Sequence, residues 1–423
     1  MSPVASPVND ASGLRSTSSA SHAAPLNRNA WLTLAGGACF TPIEIGNRIF
    51  ISSFLISVSS QIGTLGSFNL AVACGMALAI LLGGGYCKRG GMLRVFRLGF
   101  VFALVFFTTA GVLRERLALA LVPAGFVLGL SVGSFWIAYH LYRMKIVARE
   151  ARLTLFSRSG AIIYLENLIF PVFFGWLISS TDSYVPFFLF CAVLLVLGFF
   201  TSSLLEEKRD GWQGAYDLNG FLRQAWRDPN LRKMYMAGFF MGLSLWGVLD
   251  IMAPLFVYLK TGSTLLLGIS ASVVPIFGMA ASWLTRRIPA RHYGLALKLS
   301  AVMLVSSCAV LMLVPGLPGV LLYYALFSCF APVLAILYAL HVSNVIDRDQ
   351  NFIRQIPEHF VVNDLMLFAG RVPGFCALML VSGASIQSGA LHAVFLLVSL
   401  AVVPMAFLVS RIRLDVADGA QTS

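Results

Sequence analysis

The chain has 423 residues, of which 58% are hydrophobic and only 11% charged, with a mean hydropathy of +0.83. A water-soluble fold of this length carries about 25% charged residues to cover its surface, so a soluble enzyme is excluded and lipid must face much of the chain. The formal net charge of +12 comes from basic residues scattered over short loops, without a groove-reading element, and is read as membrane topology rather than as a nucleic-acid partner.

Residues 1–30, rich in Ser, Ala, Asn and Pro, read as a disordered tail without the apolar core of a secretory signal. Twelve apolar segments follow, each long enough to cross about 30 Å of hydrocarbon. They cover 31–58, 64–87, 94–113, 117–140, 159–179, 184–205, 234–259, 264–285, 294–314, 318–343, 357–382 and 390–410. Basic residues cluster on alternate loops, at Lys88, Arg89, Arg94 and Arg97, between Arg143 and Arg158, and around Arg286 and Arg287. Loops on the opposite side carry only Arg114, Arg116 and Lys260. The positive-inside rule then puts both termini in the cytoplasm, 411–423 being the second tail. The one long polar connection, 206–233, divides the segments into bundles at 31–205 and 234–410. Within it Leu218, Phe221, Leu222, Ala225 and Trp226 recur at helical spacing, predicting an amphipathic helix that lies on the membrane surface and ends before Asp228-Pro229.

All seven cysteines lie in or at the ends of apolar segments, with neither a C-x-x-C pair nor a histidine at ligand spacing, so no disulfide framework or metal site is expected. No G-x-S-x-G, H-E-x-x-H or P-loop pattern is present. Catalysis, a cofactor and ATP-driven pumping are therefore not expected.

Between the second and third segments stands Gly84-Gly85-Tyr86-Cys87-Lys88-Arg89-Gly90-Gly91-Met92-Leu93-Arg94. With six segments, a linker and six more, this resembles the major facilitator superfamily, whose signature at this loop is Gly, three residues, Asp, Arg, any residue, Gly and a basic tail. Gly84, Arg89, Gly91 and Arg94 fit, and Lys88 takes the place of the Asp that helps to hold the family's cytoplasmic gate. The resemblance implies an all-α polytopic membrane protein with twelve transmembrane helices in two six-helix bundles. The loop predicts that Gly91→Val impairs the protein and that Lys88→Asp, the family's own residue, is tolerated or beneficial. A weaker echo, Gly278 followed by Arg286 and Arg287, fits a repeat of six helices. The family's antiporter motif is half present, with Phe170 for its first Gly and Pro171 and Gly175 retained, and its fourth-helix arginine is missing from Val122–Gly129.

Ionisable residues at membrane depth are costly and normally face a cavity or a partner. On the first segment Thr41, Glu44, Arg48 and Ser52 form one polar stripe with Asn47 beside it. It is read as lining the cavity, the alternative being a Glu44–Arg48 pair that neutralises itself within the helix. The fifth segment carries Glu166-Asn167 and the eleventh Asn363-Asp364, with Arg371 two turns on, to bind solute or to lock the bundles. Asp250 precedes Pro254 by one turn, which predicts a kink beside an acid without a cation on its own helix. His140 and His341 occupy matching segment ends and are read as interfacial. The functional expectation is a monomeric secondary transporter of a small organic solute in a bacterial inner membrane, with proton coupling. A signalling receptor or scaffold and a lipid-like-molecule flippase are its rivals.

Overall fold

Lipid offers backbone N–H and C=O groups no partners, so a chain this apolar must satisfy them within its own segments, and every regular element among the described residues is helical. The computed structural model describes residues 26–412, apart from 60, 148, 207–211, 213, 286, 348–353 and 382–388. The N-terminal tail up to residue 25, most of the C-terminal tail, and Arg286 therefore lie outside the described residues.

Helix α1 starts at Arg28, where the Asn27 side chain accepts from the Ala30 N–H at 2.8 Å. It runs through Arg28–Gly46 and a π-helical turn, Asn47–Ile51, into Ser52–Ser59. Next come α2 (Ile62–Lys88), α3 (Met92–Leu113), a 3-10 turn at Arg114–Ala120, α4 (Leu121–Ile146), α5 (Arg149–Thr181) and α6 (Val185–Ser203). The short α7 (Leu218–Arg227) leads to α8, which starts at Pro229–Leu243, passes a second π-helical turn, Ser244–Val248, and continues as Leu249–Thr261. The chain closes with α9 (Thr264–Thr285), α10 (Tyr293–Leu313), α11 (Gly316–Asp347), α12 (Ile356–Leu380) and α13 (Gly389–Leu400), the last followed by Val402–Ser410.

Ten helical runs among the described residues are long and apolar enough to cross a membrane. One of them, Met92–Ile146, takes in two of the expected segments. The first expected segment, Arg28–Ser59 with its π turn and its polar stripe, is not among the ten. Leu82, Leu119, Phe200, Leu313 and Leu380 are each more than half exposed. They are outward-facing surface of the kind that acyl chains cover.

Helices touch where small residues let backbones meet. A Cβ on Gly129 would stand 2.0 Å from the Val72 carbonyl oxygen, joining α4 to α2, and one on Gly370 would stand 1.9 Å from that of Phe239, joining α12 to α8. An aromatic core fills the N-terminal part, where Phe40 and Phe135 stack with centroids 3.7 Å apart. The amphipathic α7 forms as expected, capped by Asp217, which accepts from the Gly220 N–H. Phe221 and Ala225 are buried beside Leu231 and Tyr235 of α8, while Leu222 and Trp226 stay exposed.

Candidate functional site

The two π-helical turns bracket the centre of the molecule. Arg48 stands in the turn of α1, and Asp250 lies just past the turn of α8. A π turn widens the helix by one residue and re-aims the side chains beside it, which is why such turns gather at functional sites. In α8 the break falls at Trp246 (φ −99°, ψ 22°) and Gly247 (φ −130°, ψ −112°) rather than at Pro254, which sits inside the following helix. Gly247 permits this, because a Cβ there would be 2.0 Å from the Gly242 carbonyl oxygen.

Across the centre an Arg48 Nη sits 3.5 Å from an Asp250 carboxylate oxygen, and another donates to the Asn167 Oδ1 at 3.3 Å. The alternative of a self-contained Glu44–Arg48 pair is thereby corrected: Arg48 reaches across to α8. Asp250, without a cation on its own helix, has one from α1. The Glu44 carboxylate instead accepts from the Trp136 indole N–H at 3.2 Å. Two cavities meet at this ion pair. One, of about 330 Å³, is lined by Arg48, Asn167 and Asp250 at its polar side and by apolar groups such as Ile163, Val274 and Phe327 elsewhere. The other, of about 100 Å³, is lined by Glu44, Asn47, Arg48, Ser52, Asn69, Asp250 and Arg371.

Arg371 is held by the Trp246 carbonyl, to which its Nε donates at 2.7 Å. Other candidates stand apart from these cavities. Glu166 is buried with one carboxylate oxygen unpartnered. Asn363 donates to Asp364 at 3.2 Å and accepts from the Tyr338 hydroxyl at 3.4 Å, and neither residue lines either cavity. Thr41, the start of the stripe, turns its hydroxyl to the Gly37 carbonyl. The interfacial reading of the histidines is also corrected: His341 is buried and bonded to the Leu337 carbonyl, and His140 is half-buried, stacked between Trp136 and Phe360. Asn69 belongs to the site by contact alone, without an ionisable side chain to draw attention in an apolar helix.

The Gly84–Arg94 loop forms a second charged centre. Lys88, in the last turn of α2, pairs with Glu358, in the first turn of α12, and both are almost fully buried. The residues before α7 strap this pair down. Lys88 Nζ also donates to the Ala215 carbonyl at 3.0 Å, the Trp212 N–H donates to the Lys88 carbonyl at 3.0 Å, and the Asp217 N–H donates to the Glu358 carboxylate at 3.2 Å. Burial and the neighbouring Glu358 carboxylate push the Tyr216 hydroxyl up to about 12, so it stays protonated against Gly84 and Gly85. A Cβ on Gly91 would stand 2.0 Å from the Tyr86 ring, whose hydroxyl accepts from Arg94 at 2.9 Å, so the turn needs its small residue. Arg89 caps the end of α2 and is exposed.

The family model described as Major Facilitator Superfamily matches residues 37–351. The chain belongs to the major facilitator superfamily. As a member of it, the chain is similar to "Uncharacterized protein YqgE" of Bacillus subtilis (strain 168), with 23% identity over 83% of this chain and 82% of that one. It is also 28% identical, over 37% of its length and 72% of the other's, to the Geobacillus stearothermophilus "Uncharacterized protein in sodM 3'region". Solved structures with the same fold include a D-xylose-proton symporter (TM-score 0.66, 15% identity, 90% of this chain and 96% of that one). The nucleoside transporter NupG (0.65, 12%, 91% and 98%) and a bacterial metal transporter (0.62, 13%, 91% and 98%) share it too.

Within this superfamily member the expectation for Lys88→Asp is reversed. Lys88 is not a lost Asp but one half of an ion pair whose acid, Glu358, stands on α12. Each charge suits its helix end, the cation at a C-terminus and the anion at an N-terminus. Aspartate at 88 would set two carboxylates face to face out of water.

Proposed function

We propose that the protein is a secondary active transporter that carries a small organic solute across a bacterial inner membrane by alternating access. In this reading twelve passes form two six-helix bundles, 31–205 and 234–410, with 206–233 as the linker and both tails in the cytoplasm. The Met92–Ile146 run counts as two passes, since α3 and α4 pack side by side, and α1 with its π turn counts as one. The protein acts as a monomer in this reading. Solved relatives in fold are named for a sugar, nucleosides and a metal, so the cargo is set by lining residues rather than by the fold.

The observation that supports the reading most strongly is the Arg48–Asp250 pair, which links the two bundles at the meeting of two cavities and is about one-third exposed. Protonating Asp250 removes the charge that holds Arg48, so a proton entering from one side loosens the contact between the bundles. Asp250 is thus assigned to coupling and, because it lines both cavities, to solute contact together with Glu44, Asn47, Arg48, Asn167 and Arg371. Glu166, Asn363 and Asp364 are assigned to holding helices together.

Proteoliposomes with imposed pH gradients, screened against a solute panel, test this. Asp250→Asn is expected to keep solute exchange and to lose gradient-driven accumulation, whereas Glu44→Gln weakens both. Normal accumulation by Asp250→Asn over the pH range would refute the coupling role.

A further inference from the structure

The geometry points to an apolar zwitterion as the solute: a molecule with an ammonium and a carboxylate on one carbon at one end and a branched or aromatic body at the other. This assignment rests on the transport reading above. The charges lining the two central cavities are Arg48, Arg371, Glu44 and Asp250, which sum to zero. In a membrane interior a solute of net charge would leave one of these uncompensated, whereas a zwitterion adds charge of both signs and leaves the sum unchanged.

The Arg48–Asp250 pair has the form of a seat for such a head group. Its members make a single 3.5 Å contact, keep about one-third of each side chain exposed, and both face both cavities. Arg48 Nε is buried without a hydrogen-bond partner, a donor left over for a carboxylate. On the other side, Asp250, which borders both cavities, offers its carboxylate to an ammonium. A head group inserted there replaces one long ion pair with two charge-assisted ones.

The larger cavity accounts for the body. Apart from Arg48 and Asp250 it has no ionisable lining other than tyrosines, and its walls are apolar and aromatic, including Ile163, Val274 and Phe327. At about 330 Å³ it falls at the lower end of the range of small-molecule sites. It is large enough for one aliphatic or aromatic side chain, and a solute without one would leave it unfilled.

The test uses the full-length protein in nanodiscs for binding and in proteoliposomes for exchange, with radiolabelled L-leucine and L-phenylalanine as probes. Both are expected to bind and exchange. Glycine, 2-phenylethylamine and 3-phenylpropionate, which lack the body, the carboxylate and the ammonium in turn, are expected to compete at least tenfold more weakly. In Asp250→Asn the preference for L-phenylalanine over 3-phenylpropionate should fall towards unity. Competition by either single-charge analogue as strong as that of L-phenylalanine would overturn the zwitterion. Failure of the amino acids while a sugar, nucleoside, amine or acid exchanges would overturn the solute class and leave transport standing. Failure of every solute in that panel to exchange would overturn both.

Discussion

Lys88–Glu358 and Arg48–Asp250 join the same kinds of groups across the same two parts of the chain, yet their surroundings are opposite. The first pair is 4% and 1% exposed, and backbone groups of Ala215 and Asp217 supply it with further hydrogen bonds. The second is 37% and 32% exposed, touches at 3.5 Å and borders two cavities. A buried pair already stripped of water is strongly destabilised when one partner is removed, because the survivor cannot be rehydrated. An open pair contributes little to stability and can exchange its partner for a ligand. Burial therefore separates a latch from a seat where residue type does not.

The largest effect that would break this contrast is expected at the latch. Lys88→Asp should cost about 3–5 kcal/mol, because it removes the cation and sets a second carboxylate against Glu358. The readout is thermal unfolding in detergent. Adding Glu358→Lys should recover part of the loss, and only part, because each charge then faces the wrong helix end at about 0.3–1 kcal/mol apiece. An unchanged melting curve for Lys88→Asp alone would show that the pair is not buried in the membrane-embedded protein.

A smaller effect on stability, with a large one on transport, is expected at the seat. Asp250→Asn should change the unfolding free energy by at most about 1 kcal/mol, in keeping with an accessible ion pair, while abolishing accumulation. If it destabilised the protein as much as Lys88→Asp, the two pairs would be alike and the distinction would fail.

What the sequence made legible divides along the same line. Apolar length located the helical segments, and helical spacing located α7 to within a residue, since both signals are local. The polar stripe of α1 and the acid of α8 were visible because a charge among apolar residues stands out. Which acid Arg48 pairs with was not decided by them, because Asp250 is 202 positions away and Glu44 offers a nearer partner. The π turns left no periodic trace. Lys88 was misread through the resemblance: the loop motif specifies an acid at that position, whereas the acid of this chain is supplied from α12 by Glu358, far along the sequence.

The smallest expected effect, and the sharpest test of the seat, is at Trp136. Its indole N–H donates to Glu44 at 3.2 Å, while its ring packs against Phe135, Tyr139 and His140. Trp136→Phe keeps an aromatic ring for that packing and removes only the donor, so the melting temperature should barely move. Glu44 lines a cavity, and water there can replace the lost donor, which limits the penalty to about 0.5–1.5 kcal/mol. Solute affinity should therefore fall by roughly two- to tenfold, since 1.4 kcal/mol is tenfold, with accumulation still driven by the gradient because Asp250 is untouched. Competition binding and unfolding measured on the same preparation read both quantities. A drop in stability without a change in affinity would place Glu44 in helix packing and remove it from the solute site.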